Sequence, residues 1–240
     1  MRKGQITLYV IIAILIVSSI GFIVYTQREA LSKKAESVPE SIKPIDFFIS
    51  SCVEKTAEDA MFFIGQQGGY YVPASNSAGS VAYYFYNNQS YVPKEETIEQ
   101  QLAFYMNDNL GSCIANFSNF TNYDISYGEI NSTAKILNDR IRFNVYWPVV
   151  ITQASKFELS SFSADIPSRL SLIYDISSQI VSEQLKSQQI CLSCMVDLGY
   201  QNGFSMTMES FGANVIIFRI QDKKILLNNQ PYEFAFANKY

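Results

Sequence analysis

The chain contains no histidine. That absence removes Ser-His and Cys-His nucleophiles, the imidazole general base, and every histidine-ligated zinc or iron site. Tryptophan occurs once and only 17% of residues are charged. No repeat with a period of roughly 20 to 50 residues is present, which excludes a solenoid, and no low-complexity tail occurs. Basic residues are scarce: taking Arg2 and Lys3 from the 18 Lys and Arg leaves 16 against 22 Asp and Glu, a net of −6 for the remainder. Such a surface repels phosphate backbones and argues against nucleic acid as a partner.

What the chain does have is a long uncharged apolar run near its start. From Ile6 to Tyr25 no acid or base interrupts it apart from two tyrosines. At about 1.5 Å of rise per residue, such a run covers the roughly 30 Å hydrocarbon core of a bilayer. The charged stretch Gln27 to Glu36 follows it, where a cleaved secretory signal would end in small residues. The sequence therefore predicts a transmembrane helix with a juxtamembrane extension over residues 5 to 36, preceded by a four-residue leader, 1 to 4. A linker over 37 to 44 carries Pro39 and Pro44. Residues 45 to 240 are long enough to bury a core of their own. The expected location is the cell membrane, single-pass, with the lipid bilayer as first partner.

Basic residues flank both ends of the apolar run, so they do not orient it. Two other features place the C-terminal domain outside the cell. Four Asn-x-Ser/Thr acceptors occur, at Asn88, Asn116, Asn119 and Asn131. The four cysteines, Cys52, Cys113, Cys191 and Cys194, are an even number suited to disulfides in an oxidising space. Three connectivities are open to four cysteines. The spacing of Cys191 and Cys194 within one turn favours each reaching a different partner, which would tie both Cys52 and Cys113 to that turn.

The order Arg2-Lys3-Gly4-Gln5 followed by a wholly apolar helix resembles the class III signal of archaeal type IV pilins and archaellins. The resemblance covers about 25 residues and implies cleavage by a membrane peptidase between Gly4 and Gln5. It implies further that the apolar helices of many copies bundle into a filament core with the heads facing outward. Tyr9 stands at the fifth position after that junction, where many such subunits carry a glutamate. An uncleaved signal-anchor adhesin, receptor or envelope protein therefore stays open beside the filament subunit, with an ectoenzyme behind both.

Beyond the linker the pattern reads as α+β: an antiparallel sheet packed with several helices. Pro44, Asp46 and the glycines Gly65, Gly68 and Gly69 bound a helix over Ile45 to Ile64. The aromatic stretch Val81 to Tyr86 and the following Asn87-Asn88 suggest a hairpin returning through Ser90 to Val92. A second helix opens at Pro93 and is expected to break at Gly111. Period-two alternation from Tyr123 to Ala164 suits an antiparallel meander with one wet face, in which Pro148 follows the strongest strand. Asp165-Ile166-Pro167 is expected to start a helix with a stripe of Leu170, Ile173, Ile176 and Ile180. Strands are expected at Phe204 to Met208, Ala213 to Ile220 and Tyr232 to Phe236.

Candidate chemistry is sparse. Ser132-Thr133-Ala134-Lys135 fits Ser-x-x-Lys but overlaps a glycosylation acceptor at a strand start. Cys191-Leu192-Ser193-Cys194 fits a redox pair, yet such a pair has its thiol activated when it opens a helix after a strand, and here it follows a helix. Structural disulfides are the expectation. Tetrathiolate zinc needs two close pairs, and Cys52 and Cys113 are far apart in sequence. Carboxylates such as Glu95 with Glu96, or Asp108 near Glu129, are acid and base candidates that nothing singles out among 22 acidic residues. The remaining feature is aromatic content, 14%. Tyr83, Tyr84, Tyr86 and Tyr91 are candidates for an adhesive or sugar-binding face, although alternation along a strand buries about half of such residues. The expectation is a structural or binding protein, not an enzyme, with no cofactor and no metal. Its partners would be copies of itself in a filament or surface glycans and proteins.

Overall fold

The computed structural model describes residues 38 to 153, 155 to 187 and 189 to 240. The chain divides into two units, Met1–Lys43 and Pro44–Tyr240. The described part of the first is a turn in which the Ile42 N–H donates to the Pro39 carbonyl at 2.9 Å. The second is α+β, and its first element is helix α1 (Lys43–Gly65), all of which but Lys43 belongs to it and in whose first turn lies Asp46. Past its end Gly68 and Gly69 adopt φ of +72° and +87°, and the Gly69 N–H returns to the Ile64 carbonyl at 3.0 Å.

Six strands form the first sheet: β1 (Ser77–Ala78), β2 (Val81–Tyr86), β3 (Gln89–Ser90), β8 (Ser205–Ser210), β9 (Val215–Leu227) and β10 (Gln230–Lys239). Their order is β1-β2-β10-β9-β8, with β3 hairpinned onto β2. The pairing of β10 with β2 is parallel and the others are antiparallel, so the sheet is mixed. The second sheet has β6 (Arg140–Thr152) at its centre. Strand β7 (Lys156–Pro167) runs along one side, while β5 (Asn131–Ile136) and β4 (Asp124–Tyr127) share the other end to end. Helix α2 (Glu95–Ile114) lies against β5, where the Ser132 hydroxyl donates to the Ala103 carbonyl at 2.9 Å. Helices α3 (Leu170–Ser187) and α4 (Leu192–Asn202) lead back to the first sheet.

The centre of the first sheet is aromatic. Phe218 and Phe236 stack at 5.0 Å between ring centroids, and Tyr84 stacks on Phe236 at 4.9 Å. All three are fully buried, and each ring pair is worth about 0.5–1.5 kcal/mol beyond the area it buries. At the edge of this core sits a buried ion pair. Arg169 grips the fully buried Asp222 through Nε to Oδ2 at 2.7 Å and Nη2 to Oδ1 at 2.6 Å. Its Nη1 donates to the Asn202 carbonyl at 2.8 Å, and its guanidinium lies 4.0 Å over the Phe204 ring. One side chain thus joins the start of α3, the end of α4 and β9.

Several expectations are corrected. The fold class changes in its membrane part: among the described residues no helix is long and apolar enough to cross a membrane. The longest, α1, is interrupted by Glu54, Lys55, Glu58 and Asp59. The segment read as transmembrane, residues 5 to 36, and the leader junction Gly4-Gln5 lie outside the described residues. One antiparallel sheet becomes two sheets, one of them mixed.

The cysteines pair as Cys52 with Cys113 and Cys191 with Cys194. Packing of α1 beside α2 brings the Cα atoms of the first pair to 5.7 Å, while the second closes within a single turn at 5.2 Å. Helix α2 does not break at Gly111. It runs on to Ile114 because Leu110 and Ile114 are buried, and it ends at Ala115, in the left-handed region, whose N–H caps the Gly111 carbonyl. Asp165 to Pro167 belong to β7 rather than to the following helix: β7 is an edge strand, paired only with β6, so a proline lacking an N–H is tolerated there. Pro148 lies within β6, at a bulge where the register shifts between Tyr146 and Val149. Trp147 beside it is buried and donates through Nε1 to the Gly128 carbonyl at 2.9 Å.

Candidate binding face

Three of the four tyrosines singled out in the sequence come together on the outside of the first sheet. The reason is a register shift in the parallel pairing. Tyr83 lies opposite Ala237 and Phe85 opposite Asn238, so two steps of β2 match one of β10. The extra residue makes Tyr84 and Phe85 both buried, and it brings Tyr83 and Tyr86, three apart, to one side. Their rings stack at 5.5 Å with 14° between planes. Tyr91 continues the row 6.3 Å from Tyr86.

The seat of this row is a buried apolar cluster. Tyr83 packs on a buried cluster of Ala78, Val81, Val215, Ile217, Ala235 and Ala237. Asn87 and Asn88, at φ of +50° and +58°, form the two-residue turn expected between the strands, and Tyr86 pairs with Gln89 across it. The Tyr91 hydroxyl donates to Gln89 Oε1 at 3.1 Å. Lys239 places its ammonium 5.3 Å over the Tyr86 ring. No sequence signal pairs residue 239 with residue 86; only the parallel β2 to β10 pairing does. Flat π surface, one cation and neighbouring amides suit stacking against a sugar ring or an aromatic side chain.

Tyr84 is not part of this face. It is fully buried, its hydroxyl donates to the Gly68 carbonyl at 3.1 Å, and burial pushes its phenol well above the ordinary tyrosine range. All four sequon asparagines are exposed: Asn88 in the hairpin turn, Asn116 and Asn119 after α2, and Asn131 at the start of β5. Asn116 accepts the Tyr127 hydroxyl at 2.6 Å.

The other candidates do not assemble into a catalytic centre. Ser132 and Lys135 alternate onto different faces of β5. The buried Ser132 hydroxyl lies 2.7 Å from Asn107 Oδ1, while Lys135 pairs with Glu99 at 3.0 Å. Glu99 is largely buried and also accepts the Ile136 N–H at 2.9 Å, which makes it a clamp between α2 and β5. Glu95 has its carboxyl pushed up, first by burial and then by Asp175 and Glu99. Glu96 is exposed. Asp108 and Glu129, both exposed, line one groove of about 360 Å³ with Tyr127 and Trp147. Among the described residues, no group of three or more His, Cys, Asp or Glu is placed to hold a metal ion. Cys191 and Cys194 open helix α4 instead of merely following one, a position the sequence left as a turn. No family model, no curated protein and no solved structure matches this chain.

Proposed function

We propose that this protein is a membrane-attached protein of the cell surface whose disulfide-tied α+β head acts by structure and binding, with Tyr83, Tyr86 and Tyr91 as its contact face toward surface glycans or proteins. The observation that carries this reading is the stacked Tyr83–Tyr86 pair, held on a buried seat with Lys239 across it. Tyrosines supply large contact area at low cost in conformational entropy. Two disulfides and four exposed acceptors for glycosylation favour an oxidising, external setting.

The test compares the wild-type head with Tyr83→Ser/Tyr86→Ser/Tyr91→Ser for retention on cells and on a glycan array. Loss of retention with unchanged circular dichroism supports the contact face. Equal retention of both proteins removes it.

A second reading is favoured by the junction Lys3-Gly4-Gln5: a pilin-like filament subunit, assembled through the apolar segment that follows Gln5. Intact mass of the protein from its native cell separates the two. A chain beginning at Gln5 supports the filament subunit, whereas one still carrying Met1 supports the uncleaved surface protein.

A further inference from the structure

Of the four glycosylation acceptors, only Asn131 lies in a strand: Asn88 and Asn119 lie in turns, and Asn116 lies in a single 3₁₀ turn, where its side chain already accepts the Tyr127 hydroxyl at 2.6 Å. Period-two alternation along β5 puts Asn131 and Thr133, the two residues an Asn-x-Thr acceptor needs, on one exposed side, with Ser132 buried between them. Opposite Asn131 in the antiparallel register stands Tyr146, and opposite Thr133 stands Asn144. Side chains opposed in this way have Cβ atoms about 4.5–5.5 Å apart. On the other side of β6, Tyr146 meets Ser161 and Asn144 meets Ser163.

These six residues line one open groove of about 550 Å³ on the wet face of the second sheet. Arg142 and Asp165 continue the row as an ion pair with two hydrogen bonds of 2.8 Å. Tyr146 is 57% exposed, the one aromatic ring among these polar neighbours. A bare ring flanked by hydroxyls and amides suits a sugar: the ring takes the sugar's C–H face, and the polar neighbours take its hydroxyls. The nearest source of a sugar is the amide directly across the ladder.

We propose that Asn131 carries an N-linked glycan whose first sugar stacks on Tyr146, with its hydroxyls toward Asn144, Ser161 and Ser163. The inference rests on the head facing outward from the cell. Attachment draws on a lipid-phosphate-linked oligosaccharide and a membrane transferase. Asn131 Nδ2 forms a bond to the anomeric carbon of the first sugar, and that carbon's bond to the phosphate oxygen breaks. The electron pair stays with the lipid phosphate, and the amide gives one proton to a base of the transferase. The seated glycan covers this wet face and leaves the row of Tyr83, Tyr86 and Tyr91 bare.

The test compares wild type, Asn131→Gln and Thr133→Val, each purified from the native cell. Peptide mass mapping reads occupancy, brief hydroxyl-radical labelling of the folded proteins reads Tyr146, and circular dichroism follows the fold. The wild-type peptide containing Asn131 should carry sugar, and neither variant's should. A stacked sugar covers one of the two ring faces, so Tyr146 should be labelled about half as fast in wild type as in either variant. Tyr200, 89% exposed on α4, should be labelled equally in all three. Asn131 bare while another acceptor is occupied overturns the inference and leaves the outward-facing head standing. A chain bare at all four acceptors overturns it as well, and lysine labelling on intact cells then decides the orientation of the head by itself. Occupied Asn131 with equal labelling of Tyr146 in the three proteins overturns the seat on that ring.

Discussion

Arg169→Met is the substitution whose effect the fold determines most sharply. Asp222 is fully buried, and its carboxylate is held by two guanidinium hydrogen bonds of 2.7 and 2.6 Å and by the Lys224 N–H at 2.9 Å. Methionine keeps much of the arginine's apolar stem but leaves the buried charge with a single donor. Removing one partner of a buried pair costs about 3–5 kcal/mol, a large share of the roughly 5–15 kcal/mol by which a domain is stable. Loss of the Asn202 contact and of the stacking on Phe204 acts in the same direction. Urea unfolding followed by circular dichroism at pH 7 should show the midpoint falling with the slope unchanged. Adding Asp222→Asn to Arg169→Met should recover part of the loss, because the amide still accepts from Lys224 and carries no charge. By contrast, Arg142→Ala should leave the midpoint within error, since Arg142 pairs with Asp165 in solvent. A fall below about 1 kcal/mol for Arg169→Met, or a double variant weaker than the single one, would refute the reasoning.

Gly65→Ala should destabilise the head by about 1–3 kcal/mol in the same assay, because the added Cβ would stand 2.6 Å from the Glu233 carbonyl and 3.0 Å from the Tyr232 ring. Replacing Cys52 and Cys113 by alanine should lower stability by about 4 kcal/mol, as expected for a bridge between residues 61 apart, while the same change at Cys191 and Cys194 should lower it by about 2 kcal/mol. Burial raises the phenols of Tyr84 and Tyr232 above the ordinary tyrosine value of 10.0. Above that pH the unfolded chain loses these protons first, so stability present below pH 10.0 is lost as pH rises further. Tyrosinate absorbance from these two residues should therefore appear together with loss of near-ultraviolet circular dichroism; absorbance rising fully before unfolding would contradict their burial.

How far the sequence carried depended on whether a feature is set locally or by distant packing. Asn87-Asn88 announces its hairpin because both residues tolerate positive φ, and the glycines after α1 mark its end for the same reason. The stripe of Leu170, Ile173, Ile176 and Ile180 on α3 is buried as its spacing implies. Features set by remote contacts were not legible. The disulfide pairing follows from α1 lying beside α2, which no spacing encodes. The tyrosine row depends on a register shift against β10, a strand about 150 residues away, so simple alternation misassigns Tyr84 and gives no hint of Lys239. Edge position and a bulge excuse Pro167 and Pro148 from the usual reading of proline as a strand breaker.

The account rests on the head facing outward from the cell, and that is measured directly by treating intact native cells with a membrane-impermeant amine reagent. Lys94, Lys156 and Lys223 are exposed on the head. Peptides containing them should carry the label before lysis at the same level as after it. Label that appears only once the cells are broken would contradict the account.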